Sequence, residues 1–209
     1  MQQQRNYNHL LHTIDVMIED AVSDVKQTGK KISCTKGCSH CCYLLVEISW
    51  EEALLMAEWL KAQRPKTQEK LIANIHENAR LAREVFSSYK STQKFIKPFH
   101  GDLKMPERVY GKYFYHYEIP CAFLVDGACA AYEVRPTPCR LHMVTSPANL
   151  CSRNEPDDVE GYEIPDRLEQ VKEDIVPITS AFYKDGRWGQ LGVMVKAALT
   201  YLEKEHQNK

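Results

Sequence analysis

The chain concentrates four cysteines within nine residues, and this cluster constrains the fold more than any other feature. Cys34, Cys38, Cys41 and Cys42 stand in the segment "SCTKGCSHCCYLLVEIS". Thiolate metal sites need short spacers, because neighbouring turns of backbone must place two sulfur atoms about 2.3 Å from one ion. The spacing Cys34-x3-Cys38-x2-Cys41 meets this requirement. The cluster therefore predicts a metal site, and the alternative is a set of structural thiols without a ligand.

The expected compartment decides whether these cysteines form disulfides. The N-terminal stretch "MQQQRNYNHLLHTID" lacks the apolar run of a signal peptide, and no apolar run approaches the length of a membrane span. We therefore expect a cytoplasmic protein that does not associate with membranes. Thiols are kept reduced in that compartment, so eight cysteines favour metal binding or redox chemistry over disulfides.

Charge and length limit the partners and the domain count. Lys and Arg number 27 against 28 Asp and Glu, so no basic field favours nucleic acid, and the expected partner is an unidentified protein or small molecule. A chain of 209 residues with 44% hydrophobic residues can build one core. We predict a single domain over 1–209. In it, a metal-binding cysteine core of about 34–151 is flanked by an N-terminal helix over 6–28 and C-terminal helices over 165–206.

Apolar periodicity predicts helices on both sides of the first cysteine group. Ser49 and Glu52 form a candidate capping box for a helix that ends before Pro65, and Thr67 is the predicted cap of the next helix. That next helix carries an apolar stripe of Leu71, Ile75, Ala79, Ala82, Phe86 and Tyr89. A loop is predicted over 90–106, and the "KDGRWG" segment is predicted to be a turn before the last helix.

The second cysteine group lies in "IPCAFLVDGACAAYEVRPTPCRLH". Asp126-Gly127 between two apolar runs predicts a tight β-hairpin that brings Cys121 and Cys129 close together. The two prolines before Cys139 predict an extended or turned path. The predicted fold is mainly α, with helices packed around the cysteine-rich metal-binding segment and one small hairpin.

The two cysteine groups together suit a split metal site. The candidate ligands are Cys34, Cys38, Cys41, Cys42, Cys121, Cys129, Cys139 and Cys151. Eight thiols fit two tetrahedral sites, or one iron-sulfur cluster with extra thiols, and spacing does not choose between zinc and iron. Adjacent side chains in an extended segment point to opposite sides. Cys41 and Cys42 therefore serve different metal atoms, or one of them is a spare.

Basic side chains near the cysteines are candidate cofactor contacts. Arg135 and Arg140 flank Cys139, where a guanidinium can offset the negative charge of a thiolate-bound cluster. Arg135 has the alternative of a surface ion pair with Glu133 or Glu118.

Histidine can replace a thiolate in a mixed zinc site. His40 and His142 are therefore alternative ligands, while His100 and His116 are weaker candidates. The aromatic segment "YGKYFYHY" lacks a surrounding basic groove and is predicted to be core rather than a stacking platform.

The order of these motifs resembles the YkgJ-type cysteine-cluster family, also described as the CxxCxxCC or "putative zinc- or iron-chelating" domain. The matching elements are "CTKGCSHCC", then Cys121, Phe123 and Leu124, then Cys129, then Tyr132, Arg135, Pro136, Cys139 and Arg140. Ala122 departs from the family pattern, which commonly has proline there. The resemblance implies metal or cluster binding over about Cys34 to Cys151, without implying a particular reaction.

Two classes of function follow. In the first, an iron-sulfur cluster, which the extra thiols favour slightly over zinc, serves a redox or modifying enzyme. In the second, zinc staples a helical module that binds a protein partner. The first three cysteines also have spacing similar to that of radical S-adenosylmethionine enzymes. This interpretation ranks third, because the chain is short for a barrel and no alternating strand-helix series follows.

Overall fold

The computed structural model describes residues 2–87, 96–98, 118–151, 164–180 and 186–207. Within them the helices are α1 (Gln2–Gln27), α2 (Trp50–Lys61), α3 (Pro65–Ser87), α4 (Thr137–Leu141), α5 (Asp166–Ser180) and α6 (Leu191–Gln207). The strands are β1 (Glu47–Ser49), β2 (Ile96–Pro98), β3 (Leu124–Val125), β4 (Ala128–Cys129) and β5 (Arg187–Gln190). The predicted mainly α fold is confirmed.

Backbone contacts divide the chain into two compact units. Unit 1 comprises Met1–Cys41 and Pro136–Lys184, and unit 2 comprises Cys42–Arg135 and Asp185–Lys209. This division does not test whether the units fold independently, so the single domain over 1–209 stays a prediction.

Unit 1 is built on the long first helix. One face of α1 is buried and consists of Leu10, Leu11, Ile14, Ile18, Ala21 and Val25. This face has the spacing of an amphipathic helix, and α1 packs against α4 and α5. The helix ends where Gly29 adopts a φ of 83°, a conformation that glycine accepts without steric cost. The helix predicted over 6–28 is therefore present, but it begins at Gln2.

Unit 2 packs α6 against α2 and α3. Its core includes Trp50, Met56, Leu60, Leu71, Ile75, Phe123, Met194, Val195 and Ala198. A three-stranded antiparallel sheet in the order β1-β5-β2 lies in the same unit. The sheet corrects two predictions, because β5 covers part of the "KDGRWG" turn and β2 lies inside the predicted loop over 90–106. Strands of three or four residues are too short for an alternating pattern to reveal them.

The sequence predicted a capping residue at the start of α2 and another at the start of α3, and only the first prediction is confirmed. The capping box is present, since the Glu52 backbone N–H donates to Ser49 Oγ (3.2 Å) and the Ser49 backbone N–H donates to Glu52 Oε2 (2.9 Å). The prediction of Thr67 as a cap is wrong, because α3 begins at Pro65, whose fixed φ suits a first helical position. The stripe of α3 is buried from Leu71 to Ala82, while the side chains of Phe86 and Tyr89 lie outside the description.

The predicted hairpin is confirmed. Strand β3 pairs with β4 in the register Leu124↔Cys129 and Val125↔Ala128. Asp126 and Gly127 have φ values of 50° and 76°, as a two-residue turn of this twist requires. After a 3₁₀ turn at Tyr132–Val134 the backbone is extended at Pro136, as predicted, but Cys139 itself lies in the helix α4. None of the helices in the described ranges is both long and apolar enough to cross a membrane.

Candidate metal centre

Hydrophobic burial does little to hold the first cysteine group. No residue from Lys26 to Leu44 is buried. All eight cysteines lie in the described residues, all are half-buried and none forms a disulfide. Local order comes from a turn in which the Cys38 backbone N–H donates to the Thr35 carbonyl (3.0 Å), and from the 3₁₀ helix His40–Tyr43, which carries Cys41 and Cys42.

Within unit 1, Cys34 is bonded directly to the segment that follows Cys139. The Ser33 backbone N–H donates to the Val144 carbonyl (2.9 Å), and the Val144 N–H donates to Cys34 Sγ (3.4 Å). The Cys34 thiol in turn lies 4.0 Å from the His142 carbonyl oxygen. A backbone N–H aimed at sulfur is a contact that tunes thiolate-bound metals.

Cys151 shares the electrostatic environment of the first cysteine group. Its pKa is raised to about 11, chiefly by burial and then by the charges of Cys34, Cys38 and Cys41. This repulsion indicates that Cys151 lies within electrostatic range of each of the other three thiols. Four thiols match the donor number of a structural zinc site or of a [4Fe-4S] cluster. A bound cation would reverse the effect, because its positive charge favours thiolates.

The donor chemistry of unit 1 therefore fits a soft metal ion or cluster. Cys139, on α4, adds a fifth thiol to the same unit. Among the described residues, however, no group of three or more His, Cys, Asp or Glu side chains has an arrangement that could hold a metal ion. Ligation by each of the eight cysteines thus stays a prediction.

Unit 2 contains the other three cysteines. The Cys121 backbone N–H donates to the Cys42 carbonyl (2.6 Å), and the Leu124 N–H donates to the Cys121 carbonyl (2.9 Å). Because Cys129 pairs with Leu124 across the hairpin, these bonds bring the backbone of all three cysteines into one neighbourhood. The adjacent residues Cys41 and Cys42 fall in different units. Each unit thus joins cysteines from both sequence groups.

Polar contacts fix the hairpin that carries Cys121 and Cys129. Trp59 Nε1 donates to the Glu133 carboxylate, and the Trp59 ring lies edge-on to Phe123, with 6.3 Å between centroids. Asn78 Nδ2 donates to the carbonyl of Pro120 at 2.6 Å.

Asn78 is only 3% exposed and was not among the residues predicted from the sequence. Its position on the apolar face of α3, between Ile75 and Ala79, was the available signal, because a polar side chain there needs a buried partner.

The two arginines occupy different surroundings. Arg140 is 5% exposed, and its Nη1 donates to both carboxylate oxygens of Asp15, at 2.6 and 2.7 Å. Arg135 Nε donates to the Tyr132 carbonyl (3.2 Å), and its guanidinium lies 3.8 Å from the centroid of the Tyr132 ring. A cofactor contact by either arginine stays a prediction.

Two of the four candidate histidines are described. Burial lowers the pKa of His142, as does the charge of Lys172, while Glu169 opposes them. The neutral imidazole that this shift favours is the form that binds metals. His40 is half-buried in the 3₁₀ helix beside Cys41. His100, His116, the aromatic segment 110–117 and the acidic stretch 152–163 lie outside the described residues.

Comparison with known families identifies the family of this chain. The model of the CxxCxxCC family, described as "Putative zinc- or iron-chelating domain", matches residues 33–160, which contain all eight cysteines and both arginines. No curated protein and no solved structure matches the chain. Because the match covers more than half of the 209 residues, this chain belongs to the CxxCxxCC family.

Proposed function

We propose that this protein holds an iron-sulfur cluster or zinc through thiolates from both cysteine groups. Family membership supports metal chelation in general. The observation that carries the finer proposal is the pair of hydrogen bonds that joins the first cysteine group to the segment after Cys139: the Ser33 N–H donates to the Val144 carbonyl, and the Val144 N–H donates to Cys34 Sγ. The raised pKa of Cys151, to which Cys34, Cys38 and Cys41 contribute, supports it.

Each unit has its own set of candidate donors. Within unit 1 they are Cys34, Cys38, Cys41, Cys139 and Cys151, and within unit 2 they are Cys42, Cys121 and Cys129. When bound, zinc would supply a tetrahedral link between chain segments, and a cluster would supply one-electron transfer. The backbone N–H of Val144 would stabilise negative charge on Cys34.

We favour the cluster slightly over zinc. Eight thiols exceed the four that one tetrahedral ion uses, and a polynuclear site accounts for more of them. We extend this proposal to a redox or modifying activity that uses the cluster. We prefer this activity to a radical S-adenosylmethionine mechanism.

The test is the content of iron, zinc and acid-labile sulfide, with a visible spectrum, in protein purified without oxygen. Iron and sulfide in near-equal amounts, with absorbance that bleaches on reduction, would support a cluster. Zinc at about one or two per chain without sulfide would support zinc. Protein that contains none of these, and takes up none on reconstitution, would contradict the proposal.

A second candidate is a zinc-stapled helical module that binds a protein partner. It is favoured by the absence of buried residues from Lys26 to Leu44, because a segment without a hydrophobic core needs another source of order. Removal of metal should then increase amide hydrogen exchange over 26–44, while the buried residues of α6 stay protected. Unchanged amide exchange over 26–44 after complete metal removal would contradict a role of zinc in ordering this segment.

A further inference from the structure

We propose that Asp15, on α1 and outside the family-matched residues 33–160, is a positioning residue for Cys139 and acts through Arg140. The inference rests on the proposed function, in which Cys139 is a metal ligand. It gives the N-terminal helix α1, which lies outside the cysteine motif, a role in metal binding.

The helix that carries Cys139, α4, is too short to be stable without contacts to other elements. Helix α4 has five residues, and the backbone N–H groups of Cys139 and Arg140 both donate to the Pro136 carbonyl, at 3.0 and 3.2 Å. Isolated helices of this length are unstable in water. The direction of the Cys139 side chain therefore depends on contacts between α4 and the rest of unit 1.

One such contact is the ion pair between Arg140 and Asp15 on α1. Arg140 Nη1 donates to Asp15 Oδ1 (2.6 Å) and Oδ2 (2.7 Å), and the Arg140 side chain is only 6% exposed. A buried guanidinium needs a compensating charge, and removal of that charge is strongly unfavourable. Asp15 adjoins Ile14, on the buried face of α1, so the bond fixes the residue next to Cys139 to a well-packed helix.

Loss of the bond between Arg140 and Asp15 should therefore shift the position of Cys139, while its thiol stays in the chain. Residues that orient metal ligands typically change metal affinity by about 10- to 100-fold when they are mutated. Asp15→Ala should act in this range through Cys139, while the thiols of the site remain chemically unchanged.

The experiment uses the full chain, stripped of metal without oxygen and titrated with Co²⁺, whose charge-transfer absorbance reports thiolate binding. Asp15→Ala should raise the Co²⁺ dissociation constant by about 10- to 100-fold. Asp24→Ala is the matched control, since Asp24 also lies on α1 and accepts a bond from Arg167 Nε at 3.0 Å, but the Arg167 side chain is exposed, unlike that of Arg140. This control should change the constant by less than about twofold.

A double-mutant cycle separates positioning from a general structural role. If Asp15 acts through Cys139, Asp15→Ala should have little further effect on Co²⁺ affinity once Cys139→Ser is present. Additive losses, or an Asp15→Ala protein that binds Co²⁺ within about twofold of wild type, would overturn the inference even if its melting temperature falls.

If Asp15→Ala does not fold, Asp15→Asn is used instead, because it removes the charge that compensates Arg140 while it keeps the size of the side chain; it should raise the Co²⁺ dissociation constant by more than about twofold. If wild-type protein fails to bind Co²⁺, the proposed function fails together with the inference. If wild type binds and the Asp15 variants bind equally well, only the inference fails.

Discussion

The substitution Gly192→Ala tests the buried polar network that holds the chain just before Cys121. Gly192 is the second residue of α6, and an added Cβ would lie 2.0 Å from Asn78 Oδ1 and 3.0 Å from Asn78 Cγ. Contacts this short are not tolerated, so the Asn78 side chain must move. In an ordinary helix the same substitution would instead stabilise the protein by up to about 1 kcal/mol.

Movement of Asn78 breaks two hydrogen bonds. Its Nδ2 donates to the Pro120 carbonyl (2.6 Å), and its Oδ1 accepts from Gln190 Nε2 (2.8 Å). A buried polar group left without a partner costs about 1–3 kcal/mol, so two such losses cost about 2–6 kcal/mol. After the helix-propensity gain, Gly192→Ala should lower the free energy of unfolding by about 1–5 kcal/mol.

Urea unfolding followed by far-ultraviolet circular dichroism measures this change. Asn78→Ala provides the matched background, because it removes both atoms that approach within 3.0 Å of the new methyl group. In that background, Gly192→Ala should be neutral or stabilising. A Gly192→Ala protein as stable as wild type, or one equally destabilised in both backgrounds, would refute the reasoning.

Three other substitutions test the cysteine site and its support. Cys38→Ser and Cys139→Ser should each lower metal content and melting temperature, because metal binding and folding are coupled; full metal content and unchanged melting in both would refute the split site. Cys42→Ser separates the adjacent pair: we expect a fall in metal per chain by elemental analysis, and unchanged content would mark Cys42 as the spare. Trp59→Phe removes the donor to Glu133 and should lower the free energy of unfolding by about 0.5–1.5 kcal/mol in urea; an unchanged value would mean that the bond contributes nothing.

Elements with local causes were predictable from the sequence. The Ser49 and Glu52 capping box joins residues three apart, and the Asp126-Gly127 turn needs only its own two residues. Both features are present where they were predicted.

The errors arose where distant segments compete with local preference. Strand β5 pairs with both β1 and β2, which lie far away in sequence, and no alternation within four residues reveals such a partner. Likewise Pro138, which suggests an extended or turned path, is the second residue of α4, because proline is tolerated in the first turn of a helix.

The family of this protein follows from its sequence alone, because the order of the cysteine motifs identifies the CxxCxxCC family. Thiol side chains favour soft metals whatever the fold. The folded structure was needed to place Cys41 and Cys42 in different units and to pair Arg140 with Asp15 at a sequence separation of 125. These contacts depend on how helices pack around buried charge, and packing is a property of the whole chain rather than of any segment.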